Sequence, residues 1–316
     1  MTRILFVKTS SLGDVVHNCP AVSDVARHVP GARIDWVVEE PFEAIAALHG
    51  AVRRVIPVAI RRWRGAPLSP AVWRELAAFR HALRDERYDR VIDSQGLVKS
   101  ALVSAFAAGE KHGFDRASAR EPLAARFYAR RHAVTRALHA VERNRRLAAA
   151  ALGYSPNGAC DYGLRVEGAA PIEVREPFAL LLTMTSRAEK LWPEERWIEL
   201  GRGLALRGLQ CVLPWGSDAE RARCARIAAG IGGALVPRRM ALDELARLLR
   251  RARGVAGLDT GLAHLAAALG VPAVAIFCGS DPALTGLYGS KRARNVGAEG
   301  RPPAAAEVLA ALEALG

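Results

Sequence analysis

The sequence predicts an α/β protein made of two Rossmann-like domains, each with a parallel sheet covered by helices. In both halves of the chain, short apolar runs rich in Val and Ile alternate with amphipathic segments, as strands alternate with crossover helices. The 316 residues suffice for two ordinary domain cores. Residues 153–176 are rich in Gly and Pro and have little periodicity, so we place the linker there and divide the domains as 1–160 and 161–316.

In the first half, short apolar runs bounded by polar or turn residues predict the strands. They are Arg3–Val7, Ile34–Val38, Arg54–Val58 and Arg90–Asp93. Pro70–Arg87 is the clearest helix, because apolar residues from Val72 to Leu83 recur at helical spacing behind a first-turn proline. The other predicted helices are Leu97–Ala108, Glu121–Tyr128, Leu138–Leu152 and one that begins near Cys19 and Pro20.

The second half repeats the alternation. Its predicted strands are Phe178–Thr183, Leu209–Leu213, Gly254–Leu258 and Ala273–Phe277. Its predicted helices are Glu194–Leu206, Ala219–Ala229, Leu242–Arg251, Leu262–Leu269 and a closing helix, Ala304–Leu315. In two such domains, ligands bind at the carboxyl ends of the strands, so we expect the site in a cleft where the two sheets face each other.

The charge is unevenly distributed. Of the net charge of +13, the first 150 residues carry +10, from 25 basic and 15 acidic side chains. This asymmetry favours an anionic partner for the first domain, such as phospholipid headgroups or a phosphorylated substrate. A composition rich in Ala and Arg is an alternative explanation that needs no partner.

Several classes of protein are disfavoured by composition. The five cysteines form no C-x-x-C pair, and the histidines form no H-E-x-x-H pattern, so we expect neither a disulfide framework nor a metal site. No export signal and no apolar run of about 20 residues is present, so we expect a soluble, cytoplasmic protein. The motifs of dinucleotide-binding and P-loop enzymes are absent as well.

The loop after the first strand lies at the carboxyl end of that strand, where ligands bind in this fold. It contains Ser10, Ser11, Gly13 and Asp14. Gly13 permits a tight backbone path, and Asp14 offers a carboxylate that could accept a proton. A capping or turn role for Asp14 is the structural alternative.

Three loops of the second half could bind a nucleotide diphosphate. The first contains Thr185, Ser186, Arg187 and Lys190. Their hydroxyl and cationic groups can donate hydrogen bonds to phosphate oxygens. The second, from Asp259 through Gly261, precedes a helix whose free amides could bind phosphate. In the third, Glu220 could accept a sugar hydroxyl, although a first-turn Glu also suits the helix dipole.

Taken together, these motifs resemble the lipopolysaccharide heptosyltransferases, which have the glycosyltransferase-B fold. The most distinctive segments are residues 7–17 (VKTSSLGDVVH), 35–40 (DWVVEE), 55–64 (VIPVAIRRWR), 93–100 (DSQGLVKS), 191–195 (LWPEE) and 259–264 (DTGLAH). The first four are more similar to the enzymes that add the first heptose than to those that add the second.

The resemblance implies an inverting, metal-independent and cofactor-free transfer of heptose from ADP-L-glycero-β-D-manno-heptose to Kdo2-lipid A at the cytoplasmic face of the inner membrane. It implies Asp14 as the general base. The implied donor contacts are Thr185, Ser186, Arg187, Lys190, Glu220, Asp259, Thr260, Gly261 and His264. The implied acceptor contacts are Ser10, Ser11, Gly13, Arg61, Arg62, Arg64, Gln95 and Arg120. The first domain would then bind the acceptor and the second the donor.

Two other functions stay open at the level of sequence. A heptosyltransferase of the second or third type would differ in its acceptor. A nucleotide-sugar or nucleic-acid binding protein without catalysis would also explain the basic first half. The chain lacks the aromatic-interleaved basic strands and the recognition helix of common nucleic-acid modules, so we expect no nucleic-acid partner.

Overall fold

In the computed structural model, which describes residues 1–185 and 190–316, eleven strands form two wholly parallel sheets. This arrangement confirms the predicted α/β class. The chain divides into two units, Met1–Arg165 and Val166–Gly316, rather than at residues 160 and 161. Residues up to 165 stay with the first unit, because Gly50 N–H donates to Gly163 O and Arg165 N–H donates to Leu48 O.

The first unit contains a six-stranded sheet in the order β3-β2-β1-β4-β5-β6. The strands are β1 Arg3–Val7, β2 Arg33–Glu39, β3 Val52–Val58, β4 Arg87–Asp93, β5 Ala108–Phe114 and β6 Arg130–His132. The helices are α1 Leu12–His28, α2 Glu43–Ala47, α3 Ile60–Gly65, α4 Pro70–Arg84, α5 Val98–Phe106 and α6 Ala140–Leu152, with 3-10 helices at Glu40–Phe42 and Pro122–Phe127. Helices α1, α2 and α6 pack together, and α4 and α5 pack together elsewhere in the unit.

The second unit contains a five-stranded sheet in the order β11-β10-β9-β7-β8. The strands are β7 Phe178–Leu182, β8 Gln210–Val212, β9 Gly254–Leu258, β10 Ala273–Phe277 and β11 Ala293–Gly297. The helices are α7 Glu194–Leu206, α8 Asp218–Ile231, α9 Leu242–Arg251, α10 Gly261–Ala268, α11 Pro282–Thr285 and α12 Ala305–Glu313.

The central strands are apolar without interruption because helices cover both faces of each sheet. All five residues of β7, β9 and β10 are buried, as are the last four of β1. The core of the second unit is built around Trp192 and Trp197, whose rings meet edge to face at 5.0 Å. The site residues described below follow the carboxyl ends of these buried strands.

The first helix begins earlier than predicted. It starts at Leu12, not near Cys19 and Pro20, so the loop after β1 is short. The cause is a capping box, in which the backbone N–H of Ser11 donates to Asp14 Oδ2 at 2.8 Å. Pro20 lies inside the helix, where it is buried.

Several other elements differ from those predicted from the sequence. The segment predicted as a helix at Glu121–Tyr128 is the 3-10 helix Pro122–Phe127. It ends because Tyr128 turns to extended backbone and its hydroxyl donates to the buried Asp93 Oδ2 at 2.7 Å. Strands β5, β6 and β11 and helices α2, α3 and α11 were not predicted.

None of the described helices is long and apolar enough to cross a membrane.

His49 makes the stability of the first unit depend on pH. It is 2% exposed and accepts from Ala51 N–H at Nδ1 (3.2 Å), so Nε2 carries the proton and faces Cys19 O at 3.2 Å and Ser23 Oγ at 3.0 Å. Burial lowers the pKa of His49 from 6.5 to about 4. Between pH 4 and 6.5, His49 is therefore protonated in the unfolded chain and neutral in the folded chain.

We expect the neutral imidazole of His49 to contribute its full stability above about pH 6.5 and to lose about 3 kcal/mol as the pH falls towards 4. Urea unfolding at several pH values checks this. His49→Gln should reduce the fall in the free energy of unfolding between pH 6.5 and 4. His81→Gln, at a side chain that is 86% exposed, should leave that fall unchanged. An unchanged pH dependence in His49→Gln would assign the acid loss to other groups.

Candidate active site

A buried lysine lies at the carboxyl end of β1, in the middle of the first sheet. Lys8 Nζ donates to Ser94 O at 2.8 Å and lies 3.5 Å from Asn144 Oδ1 and 3.9 Å from Asp14 Oδ1. Burial lowers the pKa of the Lys8 ammonium, while the charges of Asp14 and Asp93 oppose that shift. Lys8 was not predicted as a site residue, although it immediately follows the first strand.

Asp14 caps α1 and also presents a partly exposed carboxylate. Its Oδ2 caps α1 through Ser11 N–H, while Oδ1 points towards Lys8 Nζ. The side chain is 28% exposed, so the carboxylate remains open to a reactant. Gly13 lies in the first turn of α1 and has no positive φ, so the backbone freedom expected of it is not used.

Gln95 fixes the loop that carries Ser10 and Ser11. Its Oε1 accepts from Thr9 N–H at 3.0 Å and from Ser10 N–H at 3.2 Å, across from β4 to β1. Ser10 Oγ accepts from Lys99 Nζ at 3.0 Å. Gln95 is 6% exposed, so its oxygen holds the protein backbone in place and is not free for a ligand.

Asp93 organises the turn after β4, which carries Gln95. It is wholly buried at the end of β4, where its oxygens accept from Ser100 Oγ, Tyr128 Oη and the N–H groups of Gln95 and Gly96. Burial raises the pKa of Asp93 against the effect of these hydrogen bonds. The carboxylate therefore organises the β4 turn.

The three arginines of α3 differ in their surroundings. Arg62 is held by Glu75 at 2.7 Å and by Glu40 at 2.8 Å, so its charge is already matched within the protein. The side chains of Arg61 and Arg64 are exposed and make no hydrogen bond or ion pair within residues 1–185 and 190–316. Arg61 is placed by its backbone N–H, which donates to Glu39 at 2.8 Å. Of these three residues, Arg61 and Arg64 are available to an anionic ligand.

Arg120 is exposed and lies on the side of the first unit that carries Lys8. Its charge contributes to the lowered pKa of Lys8, as does that of Arg143. The turn residue Gly96, whose φ is +69°, approaches the backbone of Arg120, with 3.4 Å between the position of a Cβ on the glycine and Arg120 N. The charges of Arg120 and Arg143 therefore act on Lys8, which lies 3.9 Å from the partly exposed carboxylate of Asp14.

In the second unit, Asp259 is the centre of a polar cluster at the end of β9. Its Oδ2 accepts from Lys190 Nζ at 2.6 Å and from Ser280 Oγ at 2.9 Å, and Oδ1 lies 3.5 Å from His264 Nε2. Burial alone would raise the pKa of Asp259, but His264 and Lys190 lower it well below its usual range. Asp259 is therefore ionised and bridges the cluster.

Thr185 and α10 complete this part of the second unit. Thr185 Oγ1 donates to Asp259 O at 3.4 Å. Thr260 is the N-cap of α10 in extended backbone, its side chain makes no cap hydrogen bond, and Gly261 is the first helical residue. The first amides of such a helix attract anions, and Lys190, which is paired with Asp259, lies at the same strand end.

The remaining donor residues divide into two groups. Glu220 lies in the first turn of α8, and its Oε2 accepts from Gly216 N–H at 2.6 Å, which gives it a local structural role. Ser186 and Arg187 lie outside the described residues. Ser280 was not predicted, although it lies in the loop after β10, the strand that pairs with β9.

Within the described part of the chain, no group of three or more His, Cys, Asp or Glu side chains is arranged to hold a metal ion. Lys8 and Lys190 are cationic groups at or near strand ends, and Lys99 reaches Ser10 from α5. Arg61 and Arg64 lie on α3, which follows β3, and Arg120 acts electrostatically on Lys8. This arrangement suits anionic ligands in both units.

Comparison with known proteins narrows the chemistry. The family model described as glycosyltransferase family 9 (heptosyltransferase) matches residues 76–309. The chain is 48% identical to lipopolysaccharide heptosyltransferase 1 of Escherichia coli K12 over 294 residues, covering 92% of each protein. It is 49% identical to the protein of the same name from Pseudomonas aeruginosa PAO1, covering 91% of this chain and 81% of the relative.

Solved structures agree with the sequence comparisons. The structure described as E. coli heptosyltransferase WaaC with ADP is 44% identical and has a TM-score of 0.92, with full coverage of both chains. The structure of E. coli ADP-heptose lps heptosyltransferase II is 24% identical, has a TM-score of 0.78, covers 100% of this chain and 98% of its own, and shares the fold.

Proposed function

Because the chain belongs to glycosyltransferase family 9, the heptosyltransferase family, we propose that it transfers L-glycero-D-manno-heptose from ADP-heptose to the Kdo of Kdo2-lipid A. The enzyme class follows from the family. The observation that carries the choice of substrates is the identity of about 48% with lipopolysaccharide heptosyltransferases 1 over 92% of the chain. The structure described with ADP supports an adenine nucleotide as the leaving group.

The donor role is proposed for the second unit. Lys190 and the first amides of α10 would bind the diphosphate of ADP-heptose, with Thr185, Ser186, Arg187, Thr260, Gly261 and His264 as further contacts. As the bond between the anomeric carbon and the phosphate oxygen breaks, negative charge grows on ADP. A fixed cation stabilises that charge more in the transition state than in the ground state. Lys190 and α10 would thus assist departure of ADP.

The acceptor role is proposed for the first unit. A hydroxyl oxygen of Kdo attacks the anomeric carbon, its proton passes to Asp14, and ADP leaves with the bonding electrons, so the anomeric configuration inverts. Asp14 suits this role because its carboxylate is partly exposed and fixed by Ser11. Lys8 holds Asp14 from the buried side and acts as a positioning residue. Gln95 acts likewise by fixing the backbone of Ser10.

We further propose that the enzyme works on the cytoplasmic face of the inner membrane as a peripheral protein. The support is the lipid nature of the proposed acceptor and the net charge of +10 in the first 150 residues. Basic surface is attracted to an anionic leaflet.

Arg61 and Arg64 should contribute to acceptor recognition. We expect the double variant Arg61→Ala/Arg64→Ala to raise the acceptor KM by roughly 10-fold or more, since a charge-assisted contact contributes about 1.5–3 kcal/mol, and to leave the KM for ADP-heptose unchanged. Arg62→Ala is the matched control, because Arg62 is already paired with Glu40 and Glu75. An equal rise in KM for both substrates would contradict an acceptor role.

Turnover of donor labelled in the heptose tests the proposed function directly. We expect label to appear in Kdo2-lipid A at the same rate with and without EDTA, because Lys190 and α10 supply the charge that a metal would otherwise supply. Binding of ADP-heptose without transfer of label would show a nucleotide-sugar binding protein instead.

A further inference from the structure

One helical layer of the first unit exposes an unusual number of apolar side chains. This layer, which we call the basic layer, consists of α3, α4, α5 and the 3-10 helix Pro122–Phe127 with the turn between α3 and α4. Of the seven large apolar side chains exposed in the described chain, four lie here: Leu68 (90% exposed), Trp73 (60%), Leu123 (50%) and Leu102 (47%). Exposed apolar residues concentrated on one layer indicate a contact surface.

The elements of the basic layer are packed side by side. Helix α5 packs against both α4 and the 3-10 helix. The guanidinium of Arg80 on α4 lies 5.2 Å from the ring centre of Phe106 on α5, which joins the two helices at the surface. The exposed apolar residues are therefore carried by elements that neighbour one another in the unit.

The same layer is strongly basic. Its helices carry eight cations, Arg61, Arg62, Arg64, Arg74, Arg80, Arg84, Lys99 and Arg126, against the single acidic residue Glu75, which is bound to Arg62. Helix α1 and the two helices packed against it, α2 and α6, carry four basic and four acidic residues and none of the seven exposed apolar side chains. The charge and the apolar exposure thus coincide on one layer.

The basic layer reaches the edge of the sheet where the proposed acceptor site lies. Helices α3 and α5 follow the carboxyl ends of β3 and β4, and α1 with Asp14 follows that of β1. Carboxyl ends of parallel strands share one edge of a sheet. Leu68 and Trp73, at the start of α4, are close in sequence to this edge.

We infer that the basic layer is the surface on which the enzyme lies on an anionic phospholipid bilayer, with Leu68 and Trp73 inserted among the headgroups. Tryptophan favours the membrane interface, and arginines attract anionic headgroups. Single apolar residues separated by many charges suit a lipid surface, whereas the core of a protein interface is depleted of charge. The inference rests on the proposed function only in that a lipid acceptor requires such a surface.

Co-sedimentation with vesicles that contain no acceptor tests the surface. We expect the wild type to bind vesicles of phosphatidylglycerol and phosphatidylethanolamine, to bind less in high salt, and to bind phosphatidylcholine vesicles weakly. Leu68→Ser/Trp73→Ser should lower partitioning by about 10-fold or more, and Arg74→Ala by roughly fivefold. Leu206→Ser, at an exposed leucine of the second unit, is the matched control and should bind as the wild type does.

Transfer assays separate this inference from the proposed function. We expect Leu68→Ser/Trp73→Ser to lose activity on Kdo2-lipid A in vesicles and to keep it on a deacylated, water-soluble acceptor, which also shows that the variant is folded. Vesicle binding by both Leu68→Ser/Trp73→Ser and Arg74→Ala at the wild-type level would overturn the inference while the function stands. A wild-type dimer that Leu68→Ser/Trp73→Ser dissociates would also overturn it, because the layer would then be a subunit interface. Absence of transfer to either acceptor by the wild type would instead refute the proposed function, and vesicle binding would still decide the surface.

Discussion

Replacing Asp14 with asparagine should slow the chemical step of heptosyl transfer by roughly 100- to 10,000-fold, the usual contribution of a general base. Asparagine keeps the size of the side chain and an oxygen that can accept from Ser11 N–H, which Asp14 does at 2.8 Å. It removes the basic site that would take the proton of the Kdo hydroxyl. Binding of ADP-heptose should persist. Single-turnover kinetics and calorimetric titration of the donor measure the two effects separately.

Asp161→Asn is the matched control for this experiment. Asp161 also belongs to the first unit and accepts from a backbone N–H, that of Gly163, at 2.9 Å. It lies beside His49 and does not follow a strand of the sheet. We expect this variant to transfer heptose at the wild-type rate. If folded Asp14→Asn does so as well, Asp14 serves only to cap α1.

Replacing Lys190 with alanine should lower kcat/KM for ADP-heptose by roughly 10- to 1000-fold, because a charge-assisted contact to phosphate would be lost. The structure adds a second cause. Lys190 Nζ lies 2.6 Å from Asp259 Oδ2, so the variant removes from a largely buried carboxylate the cation nearest to it. The donor diphosphate would then meet an unmatched negative charge.

The double variant Lys190→Ala/Asp259→Asn separates these two causes. If repulsion by Asp259 contributes, the double variant should use ADP-heptose better than Lys190→Ala alone, which a double-mutant cycle measures. Lys291→Ala, at an exposed lysine of the same unit, is the control for loss of a general positive charge. Wild-type kinetics in Lys190→Ala would remove Lys190 from the donor site.

The parts of the fold that were predicted from sequence are those where burial dictates composition. Strands β1, β9 and β10 occupy the predicted residues, because a strand covered on both faces must be apolar throughout. Helix α4 was predicted from its periodicity, and it stops at Arg84 because β4 begins at Arg87. In these elements, the local pattern and the tertiary environment require the same residues.

The missed elements depend on tertiary contacts. Strand β5, with the sequence AGEKHGF, has no apolar run, and its place is set by pairing with β4 and β6. The early start of α1 depends on the capping box of Ser11 and Asp14, which a search for apolar periodicity passes over. The predicted loop after β1 was therefore too long, and Asp14, which was expected in that loop, lies in the first turn of α1.

The position of a residue at the end of a strand could be predicted from the sequence, whereas the roles of the site residues in binding and catalysis stay predictions. Strand-end logic selected Asp14, Lys190 and Asp259, and the structure pairs the last two. The roles of Gln95 and Glu220 could not be predicted in this way, because their side chains bind the backbone of the protein. Lys8 was not predicted as a site residue because it adjoins an apolar strand. Its ammonium lies 3.9 Å from Asp14 Oδ1 only once the strand and α1 have packed together.

The most direct test of the proposed function is the choice of acceptor by the purified protein. Labelled ADP-heptose is supplied with Kdo2-lipid A or with the same acceptor already carrying one heptose, and the linkage of the product is determined. We predict transfer to Kdo2-lipid A alone, with inversion at the anomeric carbon and loss of transfer in Asp14→Asn. Transfer to the heptose-bearing acceptor alone would contradict the account and make the protein a heptosyltransferase of a later step.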